Sequence, residues 1–507
     1  MASDITLAAT RTTLRDSVAP ATGWRRLVRD WGVLVGATLV GQVLGAITSL
    51  ALRVLLAPRL IGIWQAVRLA IDYGSFANLG VSKAAAREVA IAKGRGRPAN
   101  VRCDVETAFS FTAVSTCLYA TALIVAGGVA WSRSTERSAV WAVALCAAAV
   151  LCIVQRFITY HITIWRAEQR FGATARLGLM EALLTLVLCV LGAWCFGLAG
   201  LLGGAILVSL IVVGLVSSLR EERTGWRWDG RRILRLIAIG LPIVAAGVVT
   251  TSFRTLDRVV ILALLPESEW QLGCYSVALL VSGQLYGLAN TLGTALGPRY
   301  GEAFGQNPDA KHVARLAARA AELQAAVLSL PCSLAIVLAP PLLAWFLPDY
   351  VPGLVAIVWL VVGVAAMSCA LPGSQILVVT GRQNVALFAA CMGLAVALVT
   401  VPLAAWMGAG LGGIAAAVAA AQVGYAVVVI RCSFWRHLAW SARWLHCGAI
   451  ALALGLPLAI ACGLAGASPS DVRGWEAIRS SLFVAASWAF SCSWLWYRGG
   501  WRGEWLK

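Results

Sequence analysis

The chain has 507 residues, of which 60% are hydrophobic and 13% charged, with a mean hydropathy of +0.81. That much apolar surface excludes a soluble globular domain and requires a polytopic membrane protein. The net charge of +18 would suggest nucleic acid in a soluble chain, but here it is the expected excess of loop arginines, and no nucleic-acid partner is implied.

The opening residues are polar and carry Arg11, Arg15, Arg25, Arg26 and Arg29. They lack the apolar stretch of a cleavable leader, so residues 1–30 are expected to be a cytoplasmic tail. Apolar runs of bilayer length then follow at about 32–57, 60–80, 105–130, 139–164, 176–196, 198–219 and 233–263. They continue at about 271–297, 320–346, 353–379, 384–406, 409–431, 445–466 and 478–497. Fourteen helices are predicted, separated by turns such as "FGLAG" at 196–200, and the runs are too long and continuous for barrel strands. The fold class is all-α. Trp31, Trp131, Trp165, Trp270, Trp345 and Trp406 lie near segment ends, where an interfacial aromatic belt is expected.

With the N-terminus cytoplasmic, 31 of the 41 Lys and Arg fall in the cytoplasmic tails and loops. Five fall on the other side, and five lie inside segments. This asymmetry predicts an even number of spans with both termini cytoplasmic, in the cytoplasmic (inner) cell membrane. The extracytoplasmic loops are short, the longest being "GASPSDVRGWEAIR" at 466–479. The cytoplasmic stretches "SKAAAREVAIAKGRGRPANVR" and "RYGEAFGQNPDAKHVARLAAR" alternate apolar and basic residues, which predicts amphipathic helices lying on anionic headgroups.

"YGSFANLG" at 73–80 echoes "YGLANTLG" at 286–293. The echo places the second helix opposite the eighth. It divides the chain into an N-lobe at 31–219, a linker at 220–232 and a C-lobe at 233–431, with an appendage at 432–507. Duplicated bundles with a site between the halves are a transporter architecture.

Cys residues are scattered singly without CxxC, and His161, His312, His437 and His446 show no metal-ligand spacing. No Walker A motif is present. Neither a metal nor a cofactor is expected.

The intramembrane charges carry the functional signal. Arg53, Arg68, Arg156, Arg254 and Arg258 fall inside apolar segments, and facing lipid they would together cost on the order of 10 kcal/mol. Helical spacing gathers them with other polar residues. Thr38, Gln42, Gly45, Ser49 and Arg53 form one stripe, and Gln65, Arg68, Asp72 and Ser75 a second. Thr250, Arg254, Asp257 and Arg258 share a face, as do Tyr286, Asn290 and Thr294, and Arg156, Tyr160 and Thr163. Walls from segments 1, 2, 7 and 8 predict one central, hydrated, net-positive cavity. The competing reading is helix fastening, through Arg68–Asp72, Arg254–Asp257 or Asp257–Arg258 pairs, with Arg53 and Arg258 snorkelling to an interface. Arginines outnumber the nearby acids Asp72, Asp257 and Glu181, which favours an anionic ligand held by guanidinium forks.

The run "RVLLAPRLIGIWQAVRLAIDYGSFANLGVSKAAAREVAIAKGRG" at 53–96 resembles the polysaccharide-biosynthesis, or oligosaccharide flippase, family of the multidrug/oligosaccharidyl-lipid/polysaccharide exporter superfamily. "FRTLDRVVILALLPESEWQLGCYSVALL" at 253–280 and "GPRYGEAFGQN" at 297–307 resemble it too. The resemblance implies a bilobed, alternating-access flippase that moves undecaprenyl-diphosphate-linked sugars to the outer leaflet. Arg53, Arg68, Arg254 and Arg258, with Gln42 and Asn290, would line the substrate cavity. Asp72, Asp257 and Glu181 would be coupling or ion-pair sites, with H+ or Na+ as coupling ion and membrane lipids as surroundings.

Two alternatives stand beside this non-enzymatic reading. A multidrug-type exporter of cations would be repelled by an arginine-lined cavity. A membrane-embedded polysaccharide polymerase or ligase would need outer-face acceptor groups or a catalytic carboxylate or histidine set, and the sequence offers neither. A scaffold without transport is the bland remainder.

Overall fold

The computed structural model describes residues 20–94, 102–133, 135–168, 170–219, 224–306, 310–466 and 474–499. Most of the N-terminal tail, Arg11 and Arg15 included, and residues 467–473 of the 466–479 loop lie outside the described residues, as do the side chains of 292–299, Thr294 among them.

Helices α1 Pro20–Leu55, α2 Pro58–Gly74, α3 Val81–Gly94, α4 Arg102–Ser132 and α5 Glu136–Ala167 come first. The next helix starts at Phe171 and passes through a π-turn, Thr185–Cys189, into Val190–Leu219. It breaks at Phe196 and Gly197, where Gly197 has φ 58 and ψ −134. A Cβ on Gly192 would meet the Gly200 carbonyl oxygen at 2.3 Å, and one on Gly204 the Leu188 oxygen at 2.7 Å. The two arms are therefore antiparallel, α6 at 171–195 and α7 at 198–219, turning where "FGLAG" predicts. Then come α8 Gly230–Leu264, α9 Ser268–Gln306, α10 Ala310–Phe346, α11 Leu354–Val379, α12 Gln383–Trp406 and α13 Gly410–Ser433. The chain finishes with α14 at 440–466 and α15 Gly474–Gly499.

Among the described residues 11 stretches are long and apolar enough to cross a membrane. Splitting 172–219 at its turn and adding α2 and α15 gives the fourteen segments expected. The chain is a polytopic all-α membrane protein. The 17 residues of α2 span about 26 Å. That helix stops short because the following turn carries Leu79 at φ 47 and Gly80 at φ 79, conformations that end a right-handed helix.

The core is made of small residues at close approach. α11 packs on α9, α10 and α13, burying Leu360, Val361, Ala365 and Cys369. α9 also packs on α2. There a Cβ on Gly62 would sit 1.8 Å from the Glu269 carbonyl oxygen, and one on Gly273 1.8 Å from that of Pro58. No side chain fits at either position. α14 and α15 flank α10, and Trp488 Nε1 donates to the Ala326 carbonyl at 2.8 Å.

Residues 20–30 of the expected tail are already helical, as the start of α1. Two expectations are corrected. The amphipathic stretches pack on protein. Val81, Ala84 and Ala85 of α3 are fully buried in a cluster with Ala108, Tyr160 and Leu236, and Val89 and Ile91 are half-buried. Val313, Ala314 and Ala317 of α10 pack in the same way with Ile376 and Phe434. Trp165 is only 4% exposed and stacks under Arg170 at 5.4 Å, so it belongs to the interior, whereas Trp131, Trp345 and Trp406 are exposed.

Because Gly62 faces a carbonyl at sub-contact distance, Gly62→Ala is expected to destabilise the fold by about 2 kcal/mol, the scale of overpacking. Gly214→Ala, with nothing within 4 Å of a new Cβ, should leave the melting temperature of the detergent-purified protein unchanged or slightly raised.

Candidate functional site

The stripe predicted on the first helix faces a single cleft. Thr38, Gln42, Gly45, Ser49 and Arg53 of α1 line it, with Gln65, Arg68 and Asp72 of α2 opposite. The remaining walls are Gln155 of α5, Glu181 and Thr185 of α6, and Leu201, Ala205 and Ser209 of α7. Its volume is about 570 Å3. Thr185 opens the π-turn of α6 and donates to the Glu181 carbonyl at 2.6 Å, so the wall is locally widened where its acid stands. Arg68 and Asp72 are exposed to the cleft, whereas Arg53 is only 4% exposed.

The expected wall from α8 and α9 is not part of this cleft. Arg254, Arg258, Asp257 and Asn290 do not line it; α6 and α7, packed on α1, supply that wall instead. Arg254 lies over the Tyr286 ring at 4.2 Å, a cation–π contact. Arg258 lies within electrostatic reach of Arg68. Gln42 reaches α9, donating to Thr291 Oγ1 at 3.4 Å. Asn290 is exposed on α9, four residues on from Tyr286. Arg156, Tyr160 and Thr163 line a separate pocket.

The arginines divide sharply by partner. Arg53 is saturated. Its Nε donates to Ser276 Oγ at 3.1 Å, its Nη2 to the Ser276 carbonyl at 2.8 Å and its Nη1 to the Ser49 carbonyl at 2.7 Å, and it also bonds Ser49 Oγ. Arg53 thus ties α1 to α9. The proposed fastening pairs of the others do not form: among the described residues, Arg68, Arg156, Arg254 and Arg258 have no carboxylate within 4.0 Å. Asp257 is turned away, accepting from Tyr275 Oη at 2.9 Å and from the Arg258 backbone N–H at 2.8 Å. Buried Nε atoms of Arg156 and Arg258 have no hydrogen-bond partner. Glu181 makes no ion pair in the cleft. With Arg53 and Arg68 against Asp72 and Glu181, the cleft is balanced in charge rather than net-positive.

Two ionic seals stand at opposite ends of the bundle, and sequence spacing does not reveal them. At one end Glu269, 2% exposed, accepts Arg137 Nε and Nη2 at 2.7 Å each and Trp141 Nε1 at 2.8 Å. This bidentate pair joins α5 to α9 beside the Gly62 and Gly273 contacts. At the other end Asp104 of α4 is clasped by Arg232 Nη1 at 2.9 Å and Arg235 Nη2 at 2.5 Å from α8. Gly80 abuts Gly240 there, a Cβ on the first meeting the second's oxygen at 2.4 Å. Asp229 caps α8, and the Arg232 backbone N–H holds its carboxyl below the ordinary carboxylate value. The sequence signals were slight: Arg137 is one of five basic residues on its side, and Glu269 opens a segment.

The bundle and its cleft define a polytopic all-α membrane fold. A family model described as "Polysaccharide biosynthesis protein" matches residues 73–300, from the end of α2 into α9. No curated protein matches the chain. Among solved structures, the lipid II flippase MurJ in an inward closed conformation superposes with a TM-score of 0.67 at 13% identity, covering 92% of this chain and 99% of that one. A mutant MATE transporter from Vibrio cholerae gives 0.57 at 15% identity, covering 83% and 96%. A MOP superfamily transporter from Pyrococcus furiosus, described as having a binding pocket of reverse polarity that suggests a different function, gives 0.56 at 16% identity, covering 80% and 95%. At these identities the likeness is one of fold. The resemblance to polysaccharide-biosynthesis proteins read from the sequence is matched by the family model over residues 73–300.

Arg53→Ala is expected to cost about 3 kcal/mol of stability, because it strands buried partners on two helices. Arg68→Ala should stay within about 0.5 kcal/mol. Thermal melting of the two purified variants checks the contrast.

Proposed function

We propose that this protein is a flippase that carries a lipid-linked, undecaprenyl-diphosphate oligosaccharide across the cytoplasmic membrane for surface polysaccharide synthesis. The observation that carries the reading is the set of guanidiniums at Arg68, Arg254 and Arg258 with no carboxylate within 4.0 Å, although Asp72 and Asp257 lie within one helical turn. An unneutralised charge at membrane depth is costly, and a diphosphate supplies the missing anion in the planar, bidentate form that arginine favours. Gln42 and Asn290 suit sugar hydroxyls. The likeness to the lipid II flippase fold supports the same direction.

The mechanism proposed is alternating access between lobes 31–219 and 233–431, with both termini cytoplasmic. Each ionic seal joins one lobe to the other, so opening the path at one end requires the release of Glu269, and at the other the release of Asp104. Asp72 and Glu181, unpaired in the cleft, suit H+ or Na+ as the coupling ion, and protonation or cation binding there would change the charge that Arg68 feels.

In cells whose surface polysaccharide depends on this protein, Arg68→Ala and Arg258→Ala are expected to expose the mechanism. At normal protein levels, lipid-linked intermediate should accumulate on the cytoplasmic side with surface polysaccharide reduced at least tenfold. Normal polysaccharide in both variants would make the arginines structural and remove the basis for the assignment.

A further inference from the structure

A second polar pocket lies away from the cleft, between the turn that follows α2, the start of α3, and helices α5 and α8. Its volume is about 190 Å3. That space admits several waters and so a phosphate or diphosphate group. Its walls include Lys83, Arg156, Ser75, Asn78, Tyr160 and Thr163, and no carboxylate lines it. The nearest acid in electrostatic terms, Asp72, acts on Arg156 from outside the pocket and makes no ion pair with it.

The donor inventory is specific. Thr163 and Tyr160 hydroxyls are already committed to backbone carbonyls, Thr163 to Thr159 at 2.7 Å and Tyr160 to Val105 at 2.5 Å. The Asn78 side-chain nitrogen donates to Ser82 Oγ at 2.9 Å. What remains free is the Lys83 ammonium, which makes no hydrogen bond or ion pair, and the buried Arg156 Nε, which has no partner. The Ser75 hydroxyl is also uncommitted. Two uncompensated cations facing one small polar space match a group carrying about two negative charges, as a phosphoryl group does. A single carboxylate would neutralise only one of them.

We propose that the Lys83–Arg156 pocket is a phosphoryl-binding site distinct from the Arg68 cleft, with Arg156 as the fork and Lys83 as the point charge. It lies near the end of the bundle that Asp104 seals, since Ser82 bonds Thr112 of α4 at 3.0 Å and Val244 of α8 is part of its wall. A diphosphate held there would stand beside that seal. The site itself rests on its own residues; only a lipid-linked source for the phosphoryl group rests on the flippase reading.

The test is binding to the purified full-length chain, using inorganic pyrophosphate and, separately, a polyprenyl diphosphate in the same detergent. The variants are Lys83→Gln, Arg156→Gln, Arg68→Gln and the distant Arg436→Gln, each checked first for an unchanged melting temperature. Lys83 is exposed, so its variant keeps the test valid even where Arg156→Gln fails to fold. Lys83→Gln and Arg156→Gln should each weaken binding roughly tenfold or more, with Arg436→Gln unaffected. If pyrophosphate shows this pattern, a free phosphoryl group suffices. If only the polyprenyl diphosphate shows it, the ligand is a lipid headgroup. No binding of either probe, binding indifferent to both pocket variants, or loss confined to Arg68→Gln would overturn the proposal. Binding with the expected pattern alongside normal surface polysaccharide in the Arg68 and Arg258 variants would leave the site standing and remove the flippase reading.

Discussion

The structure turns on what happens to a guanidinium inside an apolar bundle. Such a charge must be hydrogen-bonded, hydrated or held for a ligand, because leaving it bare costs several kcal/mol. This protein uses two of those solutions at once. Arg53 spends its donors on Ser49 and Ser276 and becomes part of the scaffold. Arg68, Arg156, Arg254 and Arg258 keep theirs from any carboxylate. One residue type thus does two jobs, and the partner decides which.

The same rule explains where ion pairs do form. Glu269 and Asp104 are buried acids at opposite ends of the bundle, each clasped by arginine from another helix. Each sits beside a contact that only glycine permits. A buried carboxylate deprived of its arginine is strongly destabilised, so each seal is either made or fully broken. Paired charges thus stand at the ends, and arginines with no carboxylate within 4.0 Å stand between them.

Much of this was legible in the sequence, for a reason that also sets the limit. A helix converts spacing into a face, so the α1 stripe from Thr38 to Arg53 falls intact on the cleft, as do Gln65, Arg68 and Asp72 of α2. The segment count and the turn at 196–200 followed from length and glycine. Spacing says nothing about which helix stands opposite. Hence α6 and α7, not α8 and α9, complete the cleft. Glu269 and Asp104 meet arginines 132 and 131 residues away, and Ser276 meets Arg53 across 223. The i,i+4 pair at Arg68 and Asp72 was available to sequence reasoning yet does not form, because both side chains turn to the cleft rather than to each other. Trp165 and α3 were misplaced in the same way, their apolar faces being covered by protein instead of membrane.

The claim that matters most is that the unpaired arginines await an anionic lipid headgroup. The direct measurement compares the affinity of the purified protein for a polyprenyl diphosphate with that for the corresponding polyprenyl alcohol, in one detergent and at fixed ionic strength. The account predicts that the diphosphate binds at least a hundredfold more tightly, on the order of 3 kcal/mol, and that raising salt narrows the gap. Equal affinity for the two lipids would show that the chain recognises only the hydrocarbon, and would contradict the account.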